Sequence, residues 1–558
     1  MHLWCHPAIE KDKYQQMKIS VIAILLLIAG IGWTGCSKEK LNENSPSLIT
    51  GDNLFVNKEG FENALNGLYD EMRRIRSGSQ YGSSNTLMQE AAVIGVDNAY
   101  GNWRAPVEDV FNLWGADNNA AEGYFSDVFA WLYETINAAN TIVDRAQNPD
   151  LEWSEADKDE ILAEARCIRA WCYRHLTYLW GDVPLTLHES SGSNIKTDWE
   201  RTPVAVVRDS MEADWLFAEK YLPETSQNDG KLLKGVSQHY LAELYLAEGK
   251  PQQAKEMALK VTQNPAYALV TERYGVNKAL PGTPFTDMFI HGNSNRSEGN
   301  TEALWVIQNE QNVIGGEGNN IMARYWLNRY YSLAVTGTDG KKTNPIAASG
   351  ENGGRGIGRL GPTRFALDLY DSTDDRGSDF AWRHYWIING KPPKGYAVGD
   401  TIFLHWDKDE TLSNADWPNP RKWDFANPIN DTDPRQYNDQ VYLRAGETWL
   451  LLAEADYELG DAQGATDAIN ALRARAHAPA VTAGQVTLDL ILDERSRELF
   501  SEEERRYTLR RTHSWLRRTK LYNKIAGPHV QPRDTLLPIP QDVIDANLTK
   551  PMPQNPGY

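Results

Sequence analysis

The sequence predicts a mainly α-helical protein: a tetratricopeptide-like helical-repeat scaffold joined to an irregular, loop-rich portion. Segments 236–261 and 442–476 share one pattern, in which a Leu-Ala pair and a Tyr precede Gly249 or Gly460, and an Ala follows five residues after the Gly. This pattern is typical of a helix hairpin, because glycine permits the tight turn and alanine lets the helices approach. Between them, residues 281–438 are rich in Gly, Asn, Asp, Pro and aromatic residues and show few helical periods. A long segment of this kind usually carries function.

The remaining elements follow from apolar spacing. In the segment 59–74, Phe61, Leu65, Leu68 and Met72 recur at helical intervals. Cys167 and Cys172 fall on another predicted helix and point to different sides of it, which predicts two buried small residues and no metal or redox site. Similar spacing predicts helices at 124–146, 159–178 and 209–221, and short apolar runs predict strands at 303–308 and 401–404.

The N-terminus predicts export and lipidation. Residues 1–35 form a signal-peptide region in which Met17 is the predicted true start, because MKISVIAILLLIAGI is a charged start followed by an apolar run too short to span a membrane. The run ends in WTGC, which resembles a bacterial lipobox and predicts lipidation of Cys36; an uncleaved signal anchor is the alternative. The predicted domains are 36–280, 281–438 and 439–558, helical in the outer two and loop-rich between them.

Composition narrows the function. The 558 residues include 57 Lys+Arg and 76 Asp+Glu, a formal net charge of −19, so a nucleic-acid partner is excluded for want of a basic surface. Aromatic usage is biased, with 19 Trp and 25 Tyr against 13 Phe. Trp and Tyr combine a large apolar ring with a polar group, which favours a recognition surface.

Motifs for catalysis or cofactors are weak. Residues 356–361 fit GxGxxG, but no βαβ unit surrounds them, which favours a flexible loop. The acidic run 371–379 lacks EF-hand spacing and predicts a solvated turn with an Asp375–Arg376 pair, with a calcium loop as the alternative. The basic run 505–518 follows Glu502–504, and local helical pairing explains it. We therefore predict no catalytic residue, metal or cofactor, although a glycosidase carboxylate pair could lie far apart in sequence.

Aromatic residues within loops are the best candidates for ligand contact. They occur beside Asn, Asp and Arg in segments 97–115, 319–332 and 380–390. Sugar rings stack on aromatic faces while their hydroxyl groups need polar partners, and a peptide groove has a similar composition. The predicted ligand-binding residues are Tyr100, Trp103, Trp114, Tyr325, Trp326, Tyr330 and Trp382.

Both ends of the chain resemble the SusD/RagB family of outer-membrane nutrient-binding lipoproteins. The C-terminal matches are VYLRAGETWLLLAEADYELGD, ILDERSRELFSEEERRYTLRRT and the Pro-rich tail LLPIPQDVIDANLTKPMPQNPGY. In the N-terminal half they are GFENALNGLYDEM, INAANTIVDRA and AEARCIRAWCYRHLTYLWGDVPL. The resemblance covers nearly the whole mature chain except 281–438, where motifs are sparse.

The resemblance implies a fold and a function. The fold is a bundle of tetratricopeptide-like helix pairs that supports a loop-rich, ligand-facing portion. The protein would be anchored to the outer membrane of a Gram-negative bacterium through acylated Cys36, exposed at the cell surface, and would deliver oligosaccharides to a SusC-like TonB-dependent β-barrel transporter without bond chemistry. A RagB-like peptide-binding lid of the same transporter type is the alternative, and a secreted glycoside hydrolase is a third possibility.

Overall fold

The computed structural model describes residues 51–77, 91–102, 106–115, 118–192, 194–313, 316, 322–406, 412–433 and 435–558. Cys36, Trp103 and the signal-peptide region therefore lie outside the described residues. The described residues from Asn57 to Tyr558 form one compact unit, and the described residues before them, which include the short helix α1, Gly51–Leu54, belong to a separate unit. The three predicted domain boundaries stay a prediction.

The scaffold is a series of long helices, each packed on the next, which confirms the predicted mainly α-helical, repeat-like architecture. The long helices between residues 123 and 262 pack in chain order, and the last of them, Pro251–Thr262, then packs against Ala445–Glu458, the first helix of the second hairpin. The two hairpins are therefore neighbours in space, and the chain between them loops out as the irregular portion. The long helices are α2 Lys58–Ser77, α4 Gly123–Arg145, α5 Glu155–Trp180, α6 Val204–Tyr221, α7 Lys234–Ala247, α8 Pro251–Thr262, α12 Ala445–Glu458, α13 Ala462–Arg475 and α14 Leu488–Leu499.

Glycine makes both hairpin turns as predicted. Gly249 has φ 67° and Gly460 has φ 77°, a left-handed conformation that costs glycine little. Cys167 and Cys172 are buried and unbridged, as their helical spacing indicated. Among the described residues, no helix is both long and apolar enough to cross a bilayer.

Two element predictions need correction. The segment 442–476 does not begin as a helix, because Gln440–Arg444 is a strand paired antiparallel with Ala303–Ile307, and the helix begins at Ala445. The aromatic segments 97–115 and 319–332 are not all loop, since they contain helix α3, Pro106–Leu113, and helix α10, Met322–Trp326. The other short helices are α9 Pro284–Asp287, α11 Arg364–Leu367, α15 Arg505–Arg511, α16 Trp515–Tyr522 and α17 Gln541–Ala546.

The strands form small two-stranded antiparallel sheets, which give the loop-rich portion its regular structure. The pairs are β1 Ala99–Gly101 with β5 Leu360–Pro362, β2 Ala303–Ile307 with β10 Gln440–Arg444, β3 Val335–Thr336 with β4 Lys342–Thr343, β6 Trp382–Arg383 with β9 Asn419–Pro420, and β7 Tyr385–Ile387 with β8 Thr401–Phe403. Single 3₁₀ turns lie at Pro265–Tyr267, Arg296–Glu298, Tyr330–Ser332, Gly350–Asn352, Asp375–Gly377, Ala483–Gln485 and Pro532–Thr535.

A buried network of ion pairs joins the loop-rich portion to the C-terminal helices. Arg376 pairs with Asp374 at 2.8 Å, with Glu494 at 2.9 Å and with Glu498 at 3.0 Å. Arg444, at the end of β10, reaches the same Glu498 at 2.5 Å. Burial opposes the charge on Glu498, but the surrounding guanidinium groups hold its pKa well below the usual value. Buried charges are tolerated only when they are paired in this way.

The acidic run 371–379 differs from its predicted form. Arg376 is fully buried, and Asp375 instead bonds the ring of His477 at 2.8 Å. The predicted Asp375–Arg376 pair at a solvated turn is therefore wrong. Asp379 bonds the ring of His384 at 2.8 Å, so the carboxylates of this run serve separate partners.

The basic run 505–518 pairs mainly with distant residues. Arg505 and Arg518 each approach Asp97 at 2.7 Å, and Arg511 pairs with Glu454. Local helical pairing therefore does not account for this run. Its arginines fix the segment that leads into β1 against the C-terminal helices, because Asp97 is completely buried between them.

Candidate ligand-binding surface

Backbone hydrogen bonds bring four distant segments together in the loop-rich portion. The Asn102 N–H donates to the Arg359 carbonyl at 2.6 Å, and the Arg329 N–H donates to the Asn414 carbonyl at 2.7 Å. Tyr100 in β1 faces Gly361 in β5. Two of the predicted aromatic segments, 97–115 and 319–332, and the glycine-rich motif thus meet the loop around 412–416 at one junction.

The glycine-rich motif is the close-packing element of this junction. A Cβ atom on Gly356 would lie 2.0 Å from the Leu327 carbonyl oxygen, and one on Gly358 would lie 2.6 Å from the Asn414 carbonyl oxygen. Gly358 also has φ 67°. The segment is hydrogen-bonded and closely packed, rather than the flexible loop that the sequence suggested. Glycine is required here because neighbouring backbone segments approach closely. The motif does not form a phosphate-binding turn between a strand and a helix.

The described aromatic candidates are packed rings. Tyr330 stacks on Trp386 with centroids 4.2 Å apart, and Trp326 meets Phe500 edge-on at 5.2 Å. As ligand contacts the candidates stay predictions, but the structure gives these rings a packing role. Six are buried, with at most 3% of each residue exposed: Tyr100, Trp114, Tyr325, Trp326, Tyr330 and Trp382.

Trp382 also lines a small pocket. The pocket measures about 150 Å³, and Trp382, His384, Trp406 and Tyr370 form its aromatic lining, with Ser372 among its polar groups. The His384 and Trp406 rings stack at 5.3 Å with 23° between their planes. This volume is below the range of about 300–1,000 Å³ for drug-sized ligands. The pocket therefore suits a single ring-sized group, such as one sugar unit of a chain.

A second aromatic group at the junction is only half-buried. Tyr331 lies next to buried Tyr330, and the guanidinium groups of Arg329 and Arg355 lie 5.7 and 5.8 Å from its ring centroid. The Tyr331 hydroxyl donates to the Gly356 carbonyl at 3.1 Å. Two guanidinium groups over the ring and a backbone oxygen at the hydroxyl group fix the orientation of the Tyr331 side chain.

Sequence reasoning did not select Trp406, His384 or the half-buried Tyr331. The signal for Tyr331 was present, since it belongs to the same Tyr-Tyr pair as the chosen Tyr330. Trp406 stood alone among polar residues, and its partner His384 is 22 positions earlier, so that no local pattern connected them. Their pairing depends on the β7–β8 hairpin, where Tyr385 faces Phe403 and brings the flanking residues together.

The fold is a helical-repeat scaffold that carries a loop-rich portion with a candidate ligand-binding surface. The chain belongs to the SusD/RagB family: residues 285–558 match the family model described as the SusD family, and residues 48–246 match the one described as "starch-binding associating with outer membrane". These two matches confirm the resemblance drawn from the N- and C-terminal motifs.

Relatives align over nearly the full length. SusD-like protein P2 of Formosa agariphila is 26% identical, covering 98% of this chain and 100% of that protein. SusD-like protein P25 of the same organism is 24% identical over 93% of this chain and 96% of that protein. Among solved structures, a SusD homolog from Bacteroides thetaiotaomicron has a TM-score of 0.70 at 19% identity, covering 91% of this chain and 99% of that one.

A second solved structure is described as a laminarin-binding SusD-like protein. It has a TM-score of 0.65 at 20% identity and covers 89% of this chain and 99% of that chain. At this level of identity the similarity shows the shared fold.

Proposed function

We propose that this protein binds nutrient oligosaccharides at the cell surface and delivers them to a SusC-like TonB-dependent transporter, with no bond chemistry of its own. The observation that carries the glycan assignment is the 150 Å³ pocket lined by Trp382, His384 and Trp406. Its aromatic rings can stack on the C–H face of a sugar, and its serine and carboxylate groups can bond the hydroxyl groups.

The surface around the pocket supports a chain-like ligand. Trp406 lines the pocket, and Asn414, a few positions later in the sequence, accepts a hydrogen bond from the Arg329 N–H in the Tyr331 segment. An oligosaccharide could therefore occupy the pocket with one unit and contact Tyr331 with others. The family description of starch-binding proteins at the outer membrane and the laminarin-binding neighbour agree with this substrate class.

Cell-surface attachment and delivery complete the proposal. Cys36 is the proposed lipid attachment site, and several acyl chains are needed for a durable anchor, since one binds membranes only marginally. Delivery requires a transporter, for which the family resemblance indicates a SusC-like barrel. Affinity purification of tagged protein from native membranes should recover a TonB-dependent barrel in stoichiometric amount; its absence under mild detergent would contradict the partnership.

Isothermal titration tests the glycan assignment. The full chain in detergent is titrated with starch, laminarin and other polysaccharide fragments. We expect saturable heat with at least one glycan, and a Trp406→Ala variant should lose at least tenfold in affinity while its Tm stays near wild type, because Trp406 is half-exposed.

A matched control is Trp199→Ala. Trp199 is also half-exposed and carries a cation, Lys196, 4.7 Å from its ring, but it lines a different cavity. It should leave glycan affinity unchanged. Equal losses in both variants, or no heat with any glycan, would overturn the assignment, and steady release of reducing sugar would point to a hydrolase instead.

A further inference from the structure

The β7–β8 hairpin turns an apolar face outward. Side chains along a strand alternate between its two faces, and the inward face, which includes Trp386 and Ile402, packs into a buried hydrophobic cluster. The outward face carries Ile387, which is 40% exposed, and Phe403, which is 68% exposed. The solvated face of an antiparallel pair is usually polar. An apolar outward face therefore indicates that another body covers it.

The turn of the same hairpin is also apolar and exposed. Val398 is 65% exposed and Tyr396 is 39% exposed. The Gly399 N–H donates to the Ile388 carbonyl at 2.8 Å, and the Ile388 N–H donates to the Asp400 carbonyl at 2.9 Å. These bonds extend the pairing of the two strands up to Val398, so that the exposed apolar residues belong to one hydrogen-bonded hairpin.

Four lysines lie at the turns of this hairpin and of its neighbour. The Thr338 N–H, in the turn of the β3–β4 hairpin, donates to the Lys394 carbonyl at 2.8 Å, and the Gly390 N–H donates to the Pro345 carbonyl at 2.9 Å. These two bonds hold the turns of both hairpins together. The lysines at these turns are exposed, and none is ion-paired with a residue that the structure describes: Lys341, Lys342, Lys391 and Lys394.

The local charge at these turns is positive although the chain is acidic. The segments 335–343 and 387–403 contain two carboxylates, Asp339 and Asp400, which accept backbone N–H groups at 3.2 and 2.8 Å. Four lysines thus stand against two carboxylates, in a chain with a formal net charge of −19. The four lysines together with Ile387, Val398 and Phe403 make up the hairpin surface. An anionic partner with an apolar part is complementary to it.

A lipid surface fits these residues better than a second protein does. Interfaces between proteins are depleted in lysine and enriched in arginine, whereas lysine is the only cation of the hairpin surface. At a bilayer, lysine stems lie along apolar material while their ammonium groups reach toward the charged headgroups, and tyrosine prefers the same boundary. Lysine combined with exposed aromatic and aliphatic side chains is typical of binding at the membrane interface.

We propose that the hairpin surface docks on an anionic lipid bilayer. The lysine ammonium groups lie at the lipid phosphates, and Phe403, Ile387 and Val398 enter the boundary with the acyl chains. None of these residues lines the Trp382 pocket, so the docking is separate from glycan binding. It is also separate from acylation of Cys36, because it needs no covalent lipid.

Sedimentation with lipid vesicles tests the proposal. The full chain carrying Cys36→Ser, which removes the proposed acylation site, is mixed with vesicles of equimolar phosphatidylcholine and phosphatidylglycerol, or of phosphatidylcholine alone. We expect binding to the anionic vesicles that weakens as the salt concentration rises. A lysine near an anionic surface strengthens binding about fivefold, so Lys391→Gln combined with Lys394→Gln should weaken it about 25-fold. Phe403→Ser should weaken it about fivefold or more, because less apolar surface enters the bilayer.

Matched variants elsewhere on the surface control for charge and hydrophobicity. Lys278→Gln combined with Lys524→Gln removes two other exposed lysines, and Leu548→Ser removes an apolar side chain on a residue that is 77% exposed. Both should keep the affinity for anionic vesicles, and the N-terminal leader, which every variant shares, cancels in the comparison. The Lys391→Gln, Lys394→Gln variant should also keep its glycan affinity, because neither lysine lines the Trp382 pocket.

Three results would overturn the proposal. The first is equal binding to anionic and neutral vesicles, or no binding to either. The second is an equal loss of vesicle affinity in the hairpin variants and their controls. The third is a dimer, measured by sedimentation equilibrium, that dissociates in the Lys391→Gln, Lys394→Gln variant, because a second copy of the chain would then cover the hairpin surface.

Discussion

Arg376 and Glu498 lie 122 positions apart in the sequence, yet their side chains pair at 3.0 Å inside the protein. Arg376 belongs to the loop-rich portion and Glu498 to helix α14 of the scaffold. Neither side chain has any solvent exposure. This pair therefore attaches the irregular portion to the helices at a point where water cannot replace a lost partner.

Removing one member of this pair should strongly destabilise the protein. Arg376→Met leaves Glu494 and Glu498 with fewer cations in a dry site, and breaking a buried pair costs about 3–5 kcal/mol. Urea unfolding should show a loss of that size in the free energy of unfolding. Arg517→Met is the control, because Arg517 and Asp489 are 53% and 47% exposed, and exposed pairs contribute about 1 kcal/mol or less. Similar losses in the two variants would contradict the assigned role.

Acid should weaken the fold through Glu243. Burial opposes its charge, but Arg174, at 2.7 Å, and the other nearby cations hold the pKa of Glu243 at about 2. An unfolded glutamate titrates near about 4.3. The charged form therefore stabilises the native state above that pH, and this stabilisation of about 3 kcal/mol is lost as the pH falls from about 4.3 toward 2.

Glu243→Gln should flatten the acid limb of the stability curve, measured by urea unfolding between pH 5 and the lowest pH at which the protein folds. Glu256→Gln is the matched control, since Glu256 is exposed and accepts a hydrogen bond from Gln252. The control should keep the wild-type pH dependence. If the free energy of unfolding falls with pH as steeply in Glu243→Gln as in the wild type, the Glu243–Arg174 pair does not cause the acid sensitivity.

Gly358→Ala should loosen the junction that supports the candidate surface. Its left-handed φ disfavours alanine, and the new Cβ would meet the Asn414 carbonyl oxygen at 2.6 Å. We expect a loss of about 1–3 kcal/mol together with weaker glycan binding. Gly340→Ala separates the causes, because Gly340 has φ 75° but nothing within 4 Å of its Cβ position. Gly340→Ala should lower the free energy of unfolding less than Gly358→Ala and should leave glycan binding intact. Equal effects of the two variants would exclude the close approach of Gly358 to the Asn414 carbonyl as the cause.

Trp326 should behave as a core residue. It is 1% exposed and packs against Phe500, so Trp326→Ala should cost about 3–5 kcal/mol in unfolding free energy. Calorimetry or urea unfolding measures this. If the variant instead keeps its stability and loses only ligand affinity, the Trp326 ring is a ligand contact, as the sequence suggested. Its packing against Phe500 would then not be what stabilises the fold.

Local chemistry explains which parts of this molecule were predictable. The turns at Gly249 and Gly460 and the long helices depend on neighbouring residues, so spacing alone located them. The burial of Tyr330 beside half-buried Tyr331 depends on Trp386, more than 50 residues later. No local sequence signal therefore shows which of the two tyrosines is buried. The Trp406 pocket and the Asp97–Arg505 pair likewise form only when distant segments meet. Aromatic composition selected buried rings such as Tyr330 and did not single out the half-buried rings Tyr331 and Trp406.

The proposed lipid anchor gives a last prediction that is independent of the ligand. Cys36→Ser removes the proposed acylation site, so the protein should move from the membrane pellet to the soluble fraction after cell fractionation, since a durable anchor needs covalent lipid chains. Cys5→Ser is the control: it lies before Met17, the proposed start, and should leave both fractionation and mature mass unchanged. Intact mass should place the first mature residue at Cys36. Retention of Cys36→Ser in the membrane as an uncleaved chain would favour a signal anchor instead.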